Sequence, residues 1–385
     1  MRTADVVIVG AGVMGASVAW HLTMLGCRSV ILLDSSPTAG TGSTGRATGG
    51  FRAQFASPIN VQLSLLSREK LRQFTDTTGG DCGYQPVGYL FLAADQGQLA
   101  TLRAAIAVQR AAGLSESAMV SLDDIVRLNP AIALDGVVGG SFGATDGYIR
   151  PLGILQGYLD AAVRAGVEVQ YDSAPVSIER DGERIRSVTT SSGRIATAHV
   201  VNATGAWAAD LAQLAGVSLP VTPVRRQVAL TAPTTVLPAS TPLTIFAEDG
   251  FHFRVRDGRV LLLWPVDTFG ASRYDTTFDA DWLDGVTARA HRRVPALRQV
   301  SIDRAGSWCG LYEMSPDHHA ILGAAPGLTN FWLINGSSGH GVMHAPALGQ
   351  LLAEMITGRA GSLDAHALRP TRFLEGAPNP APVLL

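Results

Sequence analysis

Of the 30 lysine and arginine residues in this 385-residue chain only one, Lys70, is a lysine, which leaves 29 arginines. A Schiff base or an ammonium clamp could therefore come from Lys70 alone, in the polar, helix-like stretch Ser67-Arg68-Glu69-Lys70-Leu71-Arg72. Cysteine is scarce as well. Cys27, Cys82 and Cys309 are an odd number, which argues against a disulfide framework, and no CxxC or Cys/His cluster suggests a metal. A reducing, cytoplasmic location fits that usage best. No apolar run approaches the roughly 20 residues of a membrane span. The apolar start Val6-Val7-Ile8-Val9 is too short for a secretory core and runs into a glycine motif that cleavage would destroy. A formal charge of −2 gives no reason to expect nucleic acid or an anionic membrane as partner. The length suffices for two cores of ordinary domain size.

What is present begins at the first residues. Val6 to Val9 reads as a strand, Gly15 to Leu25 as a helix with Gly26 at its end, and Val30-Ile31-Leu32-Leu33 as a second strand closed by Asp34 and Ser35. Between strand and helix lies Gly10-Ala11-Gly12-Val13-Met14-Gly15. In that setting the first glycine permits a tight turn, the second lets a diphosphate approach the backbone, and the third lets helix pack on strand. Asp34, 19 residues past Gly15, is placed to accept hydrogen bonds from a ribose.

The loop from Thr38 to Gly50 is too long and too rich in small residues for an ordinary connection, so it is either flexible or wrapped around a ligand. Ser43 and Thr44 can cap a helix or bond phosphate, Gly49 and Gly50 can pass close to a flat ring, and Arg46 and Ala47 lie between them. Such a loop favours FAD over NAD, because a long ribityl arm and a tricyclic ring need donors well beyond the first turn. A third element is the strand end Val201-Asn202-Ala203-Thr204-Gly205-Ala206-Trp207. A fourth is Asn335-Gly336-Ser337-Ser338-Gly339-His340-Gly341-Val342-Met343, a strand feeding a helix N-terminus whose partial positive charge suits the N1/C2-carbonyl edge of a reduced flavin. Val176, in the short alternating strands of 175–201, is also placed at the cofactor.

A different texture begins at the strand around Val87 to Leu92 and resumes over 216–300, with a hairpin about Asp257-Gly258. The fold class expected is α/β (mixed α+β). Residues 1–85, 146–215 and 305–385 form a Rossmann-like FAD-binding domain of discontinuous segments. Residues 86–145 and 216–304 form a β-sheet substrate domain.

Taken together, GAGVMG, STGRATGGFR, VVNATGAW, YEMSPD and INGSSGHG resemble the D-amino-acid-oxidase-like FAD oxidoreductases, within them the branch of sarcosine oxidase and the L-proline dehydrogenase β subunit. The resemblance spans nearly the whole chain in order. It implies oxidation of an amine next to a carboxylate, with hydride leaving the carbon for flavin N5, and substrates that are commonly secondary or tertiary amino acids. It implies that Arg52 grips the substrate carboxylate, that Tyr312 is an active-site tyrosine, and that His252 and Trp264 wall the pocket.

Three departures from the family pattern stand out. The family's catalytic histidine is replaced by Asp267, which could attract a cationic amine or act as base. The lysine that promotes oxygen reactivity falls on Leu263, and a carboxylate-binding lysine falls on Met343. The cysteine that carries covalent flavin in some members falls on Gly310, and Cys309 is one residue off, which on a strand reverses the face. The expectation is therefore non-covalent FAD and a carboxylate clamp unlike that of sarcosine oxidase. The acceptor is O2, a quinone or a partner protein, and the assembly a homo- or hetero-oligomer. Alternatives are a 2-hydroxy-acid oxidoreductase with His252 or His340 as base, a D-amino acid oxidase or dehydrogenase, a flavin-bearing subunit of a hetero-oligomer, and an NAD-dependent dehydrogenase. His318 and His319 are adjacent and would point apart on an extended chain, so no metal is expected.

Overall fold

The computed structural model describes residues 2–266 and 271–380. In the strand Arg2–Val9 the residues Val6 to Val9 are all buried, because alternate side chains enter two different cores. Val6 and Ile8 pack with Ala16, Ala19 and Leu22 of the helix Val13–Met24 and with Leu348 and Leu352 of the helix Gly341–Ile356. Val7 and Val9 face the other way, onto Leu211 and Ala212 of the helix Ala208–Leu214. A strand covered on both faces requires this unbroken apolar run.

That strand is central in a sheet ordered Ile321–Ala324, Phe331–Asn335, Gly193–Asn202, Arg2–Val9, Val30–Leu33, Glu168–Gln170. All neighbours are parallel except the first pair, and an antiparallel hairpin, Pro175–Asp181 with Arg184–Thr190, branches from Gly193–Asn202. The parallel strands end on one edge, where Gly10, Ala203 and Gly336 follow. Ligands of such sheets bind outside the carboxyl ends of the strands.

The second sheet holds Tyr89–Ala93, Ser117–Val120, Gly139–Gly143, Thr222–Thr231, Leu243–Phe246, His252–Arg256, Arg259–Leu263 and Ile302–Met314. One face is covered by the helix Ala280–Arg293: Phe253, Val255, Val260 and Leu262 pack on Trp282, Leu283 and Val286. Period-2 alternation then turns His252, Arg254, Leu261 and Leu263 to the opposite face, toward the first sheet.

The expected boundary at 305 falls inside the strand Ile302–Met314, which pairs with Thr222–Thr231 from Ile302 opposite Thr231 to Met314 opposite Thr222. Residues 305–314 therefore belong to the second sheet. The polar stretch Asp303 to Ser307 is a β-bulge, with Asp303 accepting from Gly306 N at 2.9 Å, and in the sequence it imitates a linker. The long loop of 38–50 is ordered by a short helix, Ser43–Arg46, and by Gly50–Phe51, which pairs with Gly147–Tyr148.

Candidate active site

A cavity of about 760 Å³ is lined by residues from both sheets. At one end lies the glycine turn. Gly10 has φ 105°, and a Cβ there would overlap the Ala203 carbonyl; a Cβ at Gly15 would overlap the Gly10 carbonyl. The chain's own packing thus demands the first and third glycines. A Cβ at Gly12 would meet only Thr44 Oγ1, at 3.4 Å, and those at Gly42 and Gly341 come no closer than 3.7 and 3.4 Å to any protein atom. All three residues line the cavity, so the space a side chain would take is the cavity itself. This bare-backbone cradle is what a diphosphate and a flat ring require, and the site fits FAD.

The cradle is braced by the first-sheet loops. Asp34 accepts from Ala11 N at 2.7 Å and from Ser36 N at 2.8 Å, which sets its carboxylate beside the turn. Val13 N donates to Thr44 Oγ1 at 3.1 Å, so this helix-start donor is satisfied by the loop. Ser43 Oγ donates to Leu311 O at 2.7 Å, tying the loop to the second sheet.

Arg52 lies at the other end. It is 5 % exposed, donates from Nη1 to Gln54 O at 3.1 Å, and has Nη2 3.0 Å from His340 Nε2. Its guanidinium carbon sits 4.1 Å from the Phe55 ring centroid. Asp146 accepts from Ala53 N at 2.8 Å and Gln54 Nε2 at 3.0 Å, and burial raises its carboxyl to about 6. Tyr312 is half-buried with its ring against Gly339, where a Cβ would overlap it. His252 has Nδ1 2.8 Å from Gly250 O, and burial lowers its imidazole to about 4. Burial and the Arg52 charge hold His340 well below the usual imidazole range.

The cavity brings together Gly10, Gly12, Val13, Met14, Asp34 and Ser35 from the first motif, and Ser43, Thr44, Arg46, Ala47, Gly49 and Gly50 from the long loop. It adds Ala203, Thr204, Gly205 and Trp207, then Gly310 and Tyr312, then Ser338 to Met343, together with Arg52 and His252. Gly15 and Gly336 stand behind it as packing positions. Two expectations are corrected. Val176 is 62 % exposed and off the lining, which reaches Ala174 and Pro175 instead. Trp264 is also off the lining: Leu263 faces the cavity, so its neighbour faces the helix, where Arg289 stacks on the indole at 3.4 Å. Asp267 lies outside the described residues. The same parity separates Gly310, on the lining, from buried Cys309, off it.

Several lining residues carried no motif: Tyr89, Val228, Leu243 and Ile245 form an apolar wall from the second sheet, with Arg226 beside Tyr312. Arg254 was invisible for the same reason. It is buried, donates to Thr48 O at 2.6 Å and Gly49 O at 2.5 Å, and stacks on Tyr148 at 3.8 Å. Asp317, in YEMSPD, holds the buried Arg372 at 2.8 Å and Asn379 N at 2.9 Å, a structural role that pushes its carboxyl far below the usual range. Among the described residues no group of three or more His, Cys, Asp or Glu could hold a metal, and no helix is long and apolar enough to cross a membrane.

A cavity at the carboxyl ends of a parallel sheet, cradled in bare glycine backbone and closed by a second sheet, defines a dinucleotide-dependent enzyme. The chain matches the family model described as FAD dependent oxidoreductase over residues 5–355 and belongs to that family. It is an FAD-dependent oxidoreductase.

It is 30 % identical to FAD-dependent oxidoreductase domain-containing protein 1 of Xenopus laevis, over 92 % of this chain and 79 % of that protein. It is 27 % identical to the mitochondrial sarcosine dehydrogenase of Mus musculus, over 96 % of this chain and 41 % of that longer protein. Among solved structures, the L-proline dehydrogenase from P. horikoshii superposes with a TM-score of 0.91 at 27 % identity, covering 98 % of this chain and 100 % of that one. The glycine oxidase from Geobacillus kaustophilus gives 0.85 at 25 % identity, covering 97 % and 99 %.

Proposed function

We propose that the protein oxidises the C–N bond of an amino acid, with a secondary or N-substituted amine as the favoured donor. The observation that carries this reading is Arg52, a buried guanidinium on the cavity wall next to Tyr312 and His252, facing a second-sheet surface of Val228, Leu243, Ile245 and Leu263. A planar fork matches a carboxylate, and an apolar wall suits the carbon frame of the same molecule. The relatives named for proline, glycine and sarcosine support the substrate class.

Bound FAD supplies a two-electron acceptor for a hydride. The chain's part is to hold the donor. Burial holds His252 and His340, two of the three imidazoles on the lining, below the usual imidazole range, which suits an amine that binds uncharged and is positioned by its carboxylate. A 2-hydroxy acid would need its hydroxyl proton removed, and a group at about 4 serves that poorly.

Non-covalent FAD belongs to this reading, because the cavity meets Gly310 and not Cys309. So does a dehydrogenase that passes electrons to a quinone or partner protein, because Leu263 and Met343 present apolar side chains to the cavity. A reducing compartment, the cytoplasm as first expected, agrees with three free cysteines. The test is an anaerobic screen of amino acids and 2-hydroxy acids for bleaching of the flavin. Bleaching by proline- or sarcosine-like amines is expected. Bleaching by hydroxy acids alone would overturn the reading, and bound FAD that no amine bleaches would make the chain an electron-relay subunit. Rapid reoxidation by air would overturn the dehydrogenase assignment, and yellow colour retained on acid-precipitated protein the non-covalent one.

A further inference from the structure

We propose that the His340 imidazole is the fixed acceptor that orients the Arg52 guanidinium, so that the carboxylate clamp is a two-residue unit whose second member does no acid–base work. The proposal rests on Arg52 being the carboxylate-binding group, as read above.

Arginine carries only donors, so the 3.0 Å contact between Arg52 Nη2 and His340 Nε2 fixes the tautomer: Nε2 is bare and the proton is on Nδ1. A second edge of the fork donates to Gln54 O at 3.1 Å. The flat face lies 4.1 Å from the Phe55 centroid, and Phe55 in turn meets the His340 ring edge-on at 5.0 Å and 83°. One ring thus presses on both members of the pair. A guanidinium held along two edges and one face keeps its direction before any substrate arrives, which is where a positioning group gains its effect.

His340 is itself fixed. It precedes the helix Gly341–Ile356, and its neighbour Gly339 has φ 92° and packs so that a Cβ on it would overlap the Tyr312 ring, which sets the course of the backbone that carries His340. Among the described residues the titratable groups acting on it are Arg52, His344 at 6.1 Å between ring centroids, His319 and His318, all cationic when charged. Each disfavours the imidazolium, as burial does. A proton on Nε2 would remove the acceptor and place a like charge 3.0 Å from the guanidinium. With Nε2 engaged by Arg52, His340 also offers no lone pair there for a substrate hydroxyl.

The test uses the FAD-loaded protein labelled with 15N at histidine, with the His340 signals assigned from a His340→Gln spectrum. The expected result is the Nδ1–H tautomer, no titration in the usual imidazole range, and a rise of that pKa in Arg52→Met. An Nε2–H tautomer, or a titration that Arg52→Met leaves unmoved, would overturn the proposal. Anaerobic flavin reduction gives a second readout. His340→Leu, without an acceptor, should raise KM for the amino acid about tenfold or more while kcat changes little, and His340→Gln, whose amide oxygen can accept, should recover most of the loss. Equal KM values in both variants would sink it. An unchanged KM in Arg52→Met would sink the carboxylate reading instead, and the two failures are separable because the tautomer is read without substrate.

Discussion

Arg52 is a charge that the fold buries among Phe55, Gln54 O and His340, and its guanidinium lies on the cavity wall, where the proposed carboxylate would meet it. Replacing it by methionine keeps the stem and removes the fork. Such a variant should raise KM for a carboxylate-bearing donor by about 100-fold, from the loss of charge-assisted hydrogen bonds, and a donor amine without a carboxylate should be affected far less. Steady-state assays with an artificial acceptor on matched donors would show it. Glu313 makes a different prediction. Its Oε1 accepts from Ser337 N at 3.3 Å, its Oε2 has no hydrogen-bond partner, and burial lifts its carboxyl from 4.5 to about 7. The folded state therefore holds this proton more tightly than the unfolded chain does. Stability from this group is complete below about pH 4.5, declines as the pH rises toward 7, and stays lost above, by on the order of 3 kcal/mol. Glu313→Gln supplies the same acceptor and an uncharged partner, so it should raise Tm at pH 8, leave it nearly unchanged at pH 4.5, and flatten the slope between.

At the scale of elements, the turn between Arg2–Val9 and Val13–Met24 divides its glycines by job. A methyl at Gly15 collides with the Gly10 carbonyl, so Gly15→Ala should destabilise the apoprotein by about 3 kcal/mol or more, through forced separation of helix and strand. A methyl at Gly12 has room within the protein but enters the cavity. Gly12→Ala should leave the apoprotein's Tm within a degree or two and weaken FAD binding by about 100-fold or more, seen by flavin fluorescence titration. The existence of that turn, and the three loops that join it around the cavity, was legible because each is a local pattern of small residues. Val176 and Trp264 were misplaced because single-residue parity along a strand is not. The second-sheet wall of Tyr89, Leu243 and Ile245 was unreadable for a related reason: a strand with one face on a helix and one on a ligand looks like any buried strand. The boundary at 305 failed because a polar β-bulge and a linker share a composition.

At the scale of the molecule, the cavity is only as well formed as the docking of one sheet on the other, and Arg254 is where that docking reaches the cofactor loop. It stands on the second-sheet strand His252–Arg256 and crosses to the carbonyls of Thr48 and Gly49, while its guanidinium lies flat on Tyr148. Gly49 O accepts from Ile149 N as well, at 2.9 Å, and a Cβ at Gly49 would overlap the Ile149 carbonyl, so the loop is gripped from both domains at one residue. Burial lowers the guanidinium to about 10, which leaves it charged throughout the neutral range. Arg254→Met would fill the same space and leave the Thr48 carbonyl without this donor, at about 1–3 kcal/mol where water cannot reach, while Gly49 O keeps Ile149 N. Because that loop lines the cavity from Ser43 to Gly50, the loosening should appear as flavin loss before it appears as lost substrate binding. The expected result is an FAD dissociation rate raised about tenfold or more, with faster amide exchange over residues 47–51 and at Gly147–Tyr148, which pairs with Gly50–Phe51, and at Ile149. KM for the amino acid in freshly saturated enzyme should change much less. If instead KM rose and FAD stayed bound as tightly as before, Arg254 would belong to the substrate end of the cavity, and the two sheets would be joined at the cofactor by other contacts.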